Sequence, residues 1–486
     1  MTRKEQVNAL INEAHKASRV ILENLDKEKK VLLISHMDAD GISAAGILGK
    51  ALFRAGANFC IRIERWLDEK VVDYACLQSR EDTLVIFTDM GSGYLDILRA
   101  KAEDKEIIIL DHHQPIGEPS ETFLQVNPHL FGIDGSREIS SAGISYLVAK
   151  SMDESNIDLA CLAVVGALGD LQDKYEERSL GGVNELIVND AIKSGFLSIE
   201  TDLLFFGRET RPIHKAIAYT TNPYIPGISG EEDKTLAFLS ELNIELKRNE
   251  RWRALRDLTP EEKRKIFSAL HDYMISKGFR SDTAMKLLGT IYVLVKEEAW
   301  TPLRDAREFA LLLNATGRMG VSGLGVAICM GDRGLAYEEA IKALEDYRQT
   351  ITRYLRWLDE NQDRIEEWEN IYVLHGEKEI DEKAISAIAT IVSTNLPKPE
   401  KPLIAYSFIP EEKVLKISAR TTDSLARMGM NLGEIIGAAA EKCSGIGGGH
   451  DIAAGAQIPY EQKTQFLKIV DSLVKERMRR LKSSGS

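Results

Sequence analysis

Eight side chains able to bind a hard metal ion fall at the ends of apolar runs in the first 170 residues of this 486-residue chain. Residues 31–35, V-L-L-I-S, run into H-M-D-A-D-G, which supplies His36, Asp38 and Asp40. Residues 84–88 run into Asp89, Met90 and G-S-G, and residues 107–110 run into Asp111, His112 and His113. The last group, Asp170, closes the almost wholly apolar stretch 158–169. Carboxylate and imidazole ligands without a thiolate suit Mn²⁺ or Mg²⁺ better than zinc or copper. Eight groups are too many for one ion and about right for two. A pair of such ions roughly 3.5–4 Å apart activates a water and stabilises entering and leaving oxygens in phosphoester hydrolysis. One carboxylate must bridge them, and Asp89, from the central segment, is the natural choice.

The elements that position these groups can be read from the same runs. Consecutive large aliphatics read as strands buried on both faces, the habit of parallel sheets covered by helices, and ligands bind at the C-terminal ends of such strands. An amphipathic helix over residues 3–27 covers the sheet, and helices over 42–54, 70–77 and 94–100 alternate with strands, including one at 59–63. The expected class is therefore α/β, with a doubly wound parallel sheet. S-S-A-G (Ser140, Ser141 and on to Gly143) opens a further helix, and 158–169 reads as a buried one. An acid at its C-terminal end sits on the wrong side of the helix dipole, so a positive group should compensate Asp170.

From about residue 196 to 305 the alternation stops. Thr259, Pro260 and Glu262 form a helix start with a capping box, so this helix-rich insertion should fold rather than dangle. L-L-L-N-A-T-G-R-M-G, residues 311–320, reads as strand and turn. Leu344, Ile351, Leu358 and Ile365, with Ala340, Tyr347, Tyr354 and Trp368 between them, predict one long connecting helix that includes Trp368. Strands return near 403–407 and 414–419, followed by S-G-I-G-G-G-H-D, residues 444–451.

The formal net charge of −13 argues against coating nucleic acid by bulk electrostatics but permits a carboxylate-crowded site that cations make tolerable. Five scattered cysteines without a C-x-x-C pair suggest neither a zinc knuckle nor a disulfide framework, which fits a reducing cytoplasm. No run approaches a membrane span and the N-terminus has no apolar signal core, so a chain that stays where it is made is expected.

H-M-D-A-D-G, the Asp89 segment, D-H-H and the Asp170 helix, in this order, resemble the four motifs of the DHH phosphoesterase superfamily. N-A-T-G-R-M-G and G-I-G-G-G-H-D resemble its RecJ branch, and within that branch the archaeal GINS-associated nucleases. The likeness covers roughly residues 30–175 and 308–460. It implies a DHH domain over 1–195, the insertion over 196–305 as a partner-docking module, a substrate-binding segment and connecting helix over 306–376, and a smaller α/β DHH-associated, nucleic-acid-binding domain over 377–486. It further implies that His36, Asp38 and Asp89 hold one ion and Asp40, Asp89, His112 and Asp170 the other, with Mn²⁺ preferred and Mg²⁺ allowed. Asp111 would orient its neighbours and His113 would face the scissile phosphate. Arg318, Arg420 and His450 are the candidate phosphate contacts, with the amides of Gly447, Gly448 and Gly449, and Asn314 and Ser141 behind them. The activity implied is exonucleolytic hydrolysis of single-stranded DNA, or RNA, from the 5′ end, with GINS and through it the replicative helicase as partners. An oligoribonucleotide or cyclic dinucleotide phosphodiesterase and a mainly scaffolding replisome factor are the alternatives. Filled ligand positions favour catalysis.

Overall fold

Along the first strands successive apolar residues point to opposite faces, and both faces are covered. In the computed structural model, which describes residues 1–78, 82–220, 223 and 225–484, the chain divides into two compact units, Met1–Leu344 and Glu345–Ser486. The first unit opens with α1 (Arg3–Asp26), β1 (Lys30–His36), α2 (Ala39–Arg54), β2 (Phe59–Glu64), α3 (Glu69–Gln78), β3 (Thr83–Thr88), α4 (Leu95–Ala102), β4 (Ile107–Leu110) and β5 (Phe123–Val126). The five strands form one parallel sheet in the order β2-β1-β3-β4-β5. Leu32, Ile34, Val85, Phe87, Ile107 and Ile109 pack on one face against Val72, Leu95 and Leu98 of α3 and α4. The alternate residues Leu33, Ile86 and Ile108 are equally buried on the other side, where α2 packs against α5 (Ser141–Met152) and α6 (Ala160–Gly169).

After α7 (Val183–Lys193), strands β6 (Leu197–Leu203) and, much later, β9 (Leu288–Leu294) pair antiparallel, with Leu203 opposite Leu288. Between those two residues lie α8 (Ile213–Ala218), α9 (Glu232–Glu241), the short strands β7 (Lys247–Arg248) and β8 (Arg251–Trp252), α10 (Pro260–Ser276) and α11 (Ser281–Met285). They close around their own core, which includes Phe205, Ile217, Leu239, Leu255, Ile266, Leu270 and Met274.

Next come α12 (Ala306–Arg318) and α13 (Ser322–Met330). The first corrects the sequence expectation, because residues 311–318 are helix and not strand and turn. Asp305 caps this helix through the amides of Arg307 and Glu308, and its apolar side chains Phe309, Leu312 and Leu313 recur at helical spacing on a buried face. Helix α14 (Leu335–Glu360) follows, and the division between the units falls within it. It stops short of the sequence prediction: Ile365 opens a strand, β10 (Ile365–Glu367), and Trp368 lies beyond that strand. Ile365 kept the heptad spacing by coincidence, the turn at residues 361–364 having already ended the stripe.

The second unit adds β11 (Tyr372–His375), α15 (Ile385–Ser393), β12 (Leu403–Ile409), β13 (Val414–Arg420), α16 (Asp423–Arg427), α17 (Leu432–Glu441), β14 (Ile446–Gly449), β15 (Ala453–Pro459) and α18 (Lys463–Ser484). Its mixed sheet runs β10-β11-β12-β13-β15-β14. One face packs on α17 and α18 through Ile404, Ile417, Ile436 and Phe466, the other on α14 and α15 through Leu374, Leu403, Tyr354 and Ile388. Among the described residues no helix is long and apolar enough to cross a membrane.

The capping box of α10 is present, with the Thr259 hydroxyl accepting from the Glu262 amide and the Glu262 carboxylate accepting from the Thr259 amide. Glu262 also receives two hydrogen bonds from the buried Arg253 guanidinium. Thr259→Ala should lower stability by about 1 kcal/mol in urea titrations, with Thr259→Ser recovering most of it.

Candidate metal centre

Strand register brings the first three candidate groups into a row. Ser35 lies opposite Thr88 and Thr88 opposite Leu110, so the next residues out, at the C-terminal ends of β1, β3 and β4, are His36, Asp89 and Asp111. The Thr88 hydroxyl donates to Ser35 Oγ (2.6 Å), which donates to the Gly41 carbonyl (2.7 Å) and ties the H-M-D-A-D-G loop to the strand ends. Any side chain at Gly41 would meet the His36 carbonyl.

Asp89 sits in the middle with left-handed backbone, φ +58°. For a residue other than glycine this conformation is uncommon and costs on the order of 1–3 kcal/mol, which surrounding structure must hold in place. The hold is visible in its amide, which donates to the Leu110 carbonyl (3.0 Å). The side chain is 2% exposed, and neither carboxylate oxygen has a hydrogen-bond partner. His36 Nδ1 and His112 Nε2 each stand 3.4 Å from one of those oxygens. Three three-residue groups share this side chain, His36–Asp38–Asp89, Asp40–Asp89–His112 and Asp89–Asp111–His113, each with its ligand atoms within 4.8 Å of one another, and in the last of them Asp111 already engages His113 Nδ1 at 2.7 Å. A buried, donorless carboxylate is costly. A divalent cation on either side of Asp89 fits that donor set.

The neighbours are held by backbone. Asp38 caps α2 through the Gly41 amide (3.0 Å) and faces His36 Nδ1 at 2.9 Å. Asp40, fully buried, accepts from the Ser141 and Ala142 amides (2.7 and 3.0 Å) at the start of α5, where the helix dipole favours a negative charge. His112 Nδ1 meets the Gly135 carbonyl at 2.7 Å, which turns Nε2 toward Asp89 and toward Asp170 Oδ2, 3.1 Å away. That imidazole is the positive group expected to compensate the acid at the end of α6. Asp111 accepts from the amides of Ser92 (2.9 Å) and His113 (3.1 Å) and holds His113 Nδ1 at 2.7 Å. His113, 38% exposed at its side chain, thus turns its other nitrogen away from Asp111.

Sequence reasoning missed part of this support. His129, which carries no sequence pattern of its own, places Nε2 3.0 Å from the His112 carbonyl. Gln172 donates to the same Gly135 carbonyl that orients His112 (2.9 Å), and Asn127 donates to the His113 carbonyl (2.8 Å). Gly135 has no room for a side chain because the His112 carbonyl occupies that space. The only signal available was the density of His, Asn and Gly after D-H-H.

The substrate candidates fare differently. Asn314 Oδ1 accepts from the Ala39 amide (2.9 Å) and Ser141 is fully buried, so the first anchors the H-M-D-A-D-G loop and the second serves Asp40 through its backbone. Asn314 is half-buried. Arg318 ends α12 next to Gly317, where a Cβ would strike the Met37 carbonyl of that loop. Arg420, His450 and the glycines belong to the second unit. There Arg420 Nε donates to Thr390 Oγ1 (2.9 Å) beside Ala453, whose carbonyl receives the His450 amide (2.8 Å). Gly447, Gly448 and Gly449 form an edge strand paired on one side with β15. A side chain at Gly447 would meet Ala456 of β15 and Ala440 of α17, and one at Gly449, with φ +141°, would meet Ala453 and Ala454 of β15, whereas the space at Gly448 is open.

Without a cation the cluster holds protons. Enclosure disfavours a charged imidazole at His36, yet the Asp38 carboxylate and then Asp89 lift it to about 10. Burial and then the charge of Asp89 push Asp40 up to about 7, and burial with Asp40 raises Asp170 well above the carboxylate range. Asp111 moves the other way: burial would raise it, but His113 holds it low. Raised groups carry protons that an entering cation must displace. Mn²⁺ binding at pH 7 should therefore release protons, and apparent affinity should rise as pH goes from 6 to 8. Calorimetry in two buffers of different ionisation enthalpy checks both, and a buffer-independent heat would contradict this account. Gly135→Ala should weaken Mn²⁺ binding about 10- to 100-fold by moving the carbonyl that aims His112.

Comparison with known proteins finds one family along the chain. The DHH family, N-terminal domain, matches residues 30–167, the DHH-CID domain matches 205–288, and the DHHA1 domain matches 370–476. An uncharacterized protein of Methanocaldococcus jannaschii is 33% identical over 479 residues, 97% of this chain and 99% of the relative. The single-stranded-DNA-specific exonuclease RecJ of Thermus thermophilus is 26% identical over 239 residues, 46% of this chain and only 34% of the exonuclease. The Mn²⁺ complex of that RecJ superposes with a TM-score of 0.59 at 18% identity, over 96% of this chain and 55% of its own. CDC45 from Entamoeba histolytica superposes with a TM-score of 0.60 at 12% identity, over 98% and 99% of the two chains. Family models in this order, on strand ends that gather the same acids and imidazoles, make the chain a RecJ-like member of the DHH phosphoesterase superfamily.

Proposed function

We propose that this protein is a metal-dependent exonuclease that degrades single-stranded DNA from the 5′ end and works with the replication machinery through GINS. The observation that carries the reading is the convergence of carboxylates and imidazoles on the buried Asp89, neither oxygen of which is satisfied by a hydrogen bond. Two divalent cations, Mn²⁺ or Mg²⁺, would supply the Lewis acidity that activates a water and neutralises charge on the leaving oxygen. His36, Asp38 and Asp89 would hold one, and Asp40, Asp89, His112 and Asp170 the other. His113, its Nδ1 donating to Asp111, can in its protonated form donate from Nε2 to a phosphate oxygen and stabilise the charge that builds there. Arg318, Arg420 and His450 would bind the phosphodiester backbone.

The likeness to the Thermus exonuclease supports the reaction class, although it spans only part of that enzyme. The end-to-end likeness of fold to CDC45 is consistent with a replisome role. It also favours a second reading, in which scaffolding accompanies or replaces catalysis.

End-labelled single strands of DNA and RNA, incubated with Mn²⁺ or Mg²⁺ and sized over time, test the first reading. Products should shorten stepwise from the 5′ end, activity should vanish in EDTA, and Asp89→Ala should abolish turnover with DNA binding largely intact. His113→Ala should lower the rate and spare bound metal. Wild-type rates from the Asp89 variant would sink the two-metal scheme, and a folded chain that cuts neither DNA nor RNA would leave scaffolding as the better account. Replacing residues 213–284 with a short Gly/Ser linker should spare hydrolysis of short strands and remove association with purified GINS; full GINS affinity would move docking elsewhere in the chain.

A further inference from the structure

The insertion carries a small exposed ribbon, tied back to it where the Trp252 indole lies 4.6 Å from the ring of the buried His214. Strands β7 and β8 pair across Asn249 and Glu250, both with left-handed backbone (φ +49° and +63°), the geometry of a tight two-residue hairpin turn. All six residues from Lys247 to Trp252 are exposed. On one face Lys247 lies opposite Trp252, its ammonium 4.5 Å from the indole centroid. On the other, Arg248 lies directly opposite Arg251. Like charges facing each other across a ribbon destabilise it unless an anion joins them. Arg248 has the exposed Glu245 at 3.4 Å, whereas Lys247 and Arg251 form no ion pair among the described residues. Arg251 instead lies 4.5 Å from the centroid of the Trp300 indole, and Arg256 lies 4.7 Å from the same ring. Trp300 Nε1 donates to Asp257 Oδ1 (2.9 Å), which fixes the ring while leaving it 46% exposed; Trp252 is 39% exposed.

Opposed cations call for an anion and exposed indoles call for flat rings. An acidic peptide would satisfy the first and leave the second unused, and a duplex keeps its base faces stacked inside. A single strand offers phosphates and free bases together. A base stacked on an indole gains more than an exposed cation does, so a base could displace Lys247 or Arg251 from the ring and release it to a neighbouring phosphate. We propose that this ribbon and Trp300 form a second binding site for single-stranded nucleic acid, built from residues separate from the metal-bearing strand ends. Lys247, Arg248 and Arg251 take phosphates there, and Trp252 and Trp300 take bases. The proposed function contributes only the kind of polymer, and hydrolysis plays no part in the site.

The test is fluorescence anisotropy of the full chain with a labelled long oligo(dT) in EDTA across a salt series, beside cleavage of a dT trinucleotide with Mn²⁺. Trp252→Ala and Trp300→Ala should each weaken long-oligonucleotide binding about tenfold. The double variant Arg248→Ala/Arg251→Ala should flatten the slope of log affinity against log salt by about 0.7 for each arginine. Trinucleotide cleavage should not change. Unaltered affinity and slope in variants with wild-type circular dichroism would overturn the proposal. So would variants that keep DNA affinity but lose a purified protein partner, or an equal loss of trinucleotide cleavage. Should Trp300→Ala unfold because Asp257 loses its donor, the exposed Trp252 and arginine variants decide. Lost oligonucleotide affinity in variants of a chain that cuts nothing would keep this site and sink the nuclease reading.

Discussion

Too much negative charge gathers in too little space around Asp89, and the rest of the first unit is arranged to make that tolerable. The side chain is buried, sits on a strained backbone and receives no hydrogen bond, while Asp38, Asp40 and Asp170 converge on the imidazoles beside it. In water such a cluster would disperse. Here each acid is fixed from behind: Asp38 by an amide of its own helix, Asp40 by the first amides of α5, Asp170 by its place at the end of α6. Asp38 and Asp40 thus have lone pairs committed to backbone amides while facing the imidazoles that Asp170 also meets.

Rigidity reaches the site from two directions. The parallel sheet sets the row of His36, Asp89 and Asp111 by register alone, and backbone carbonyls then set ring orientation, Gly135 for His112 and His112 itself for His129. Helix α12 adds a third support, since its Asn314 holds the amide of Ala39 and its Gly317 lies against Met37. The first turn of the same helix carries Glu308, 2% exposed, whose oxygens accept from the Glu209 amide (2.6 Å) and the Thr210 hydroxyl (2.5 Å). One helix thus touches the metal-site loop near one end and the foot of the insertion near the other.

How much of this could be read in the sequence follows from what kind of force fixes each part. H-M-D-A-D-G and D-H-H were legible because an apolar run ending in acids and imidazoles is a local pattern with one reasonable meaning, and register does the rest. The segment 311–318 was not, because three leucines in a row suit a strand as well as a helix, and the glycine that seemed to mark a turn is there to let Met37 approach. The end of α14 was overrun because Ile365 preserved the spacing after the helix had stopped. Ser141 and Asn314 were recognised as belonging near the site, but their jobs are carried by a backbone amide and a loop contact that no side-chain pattern announces. His129 and Gly135 stayed silent for the same reason.

The pairing of Leu203 with Leu288 has a consequence for how the insertion could vary. The chain leaves the first unit's framework and returns to it at facing positions of one ladder, so the ends are already joined whatever lies between them. Loop-closure entropy, which grows only with the logarithm of length, is then nearly indifferent to the size of the intervening segment. The insertion behaves as a cartridge on a fixed socket. Its surface is free to be rewritten, provided the segment that replaces it still brings two donors to Glu308.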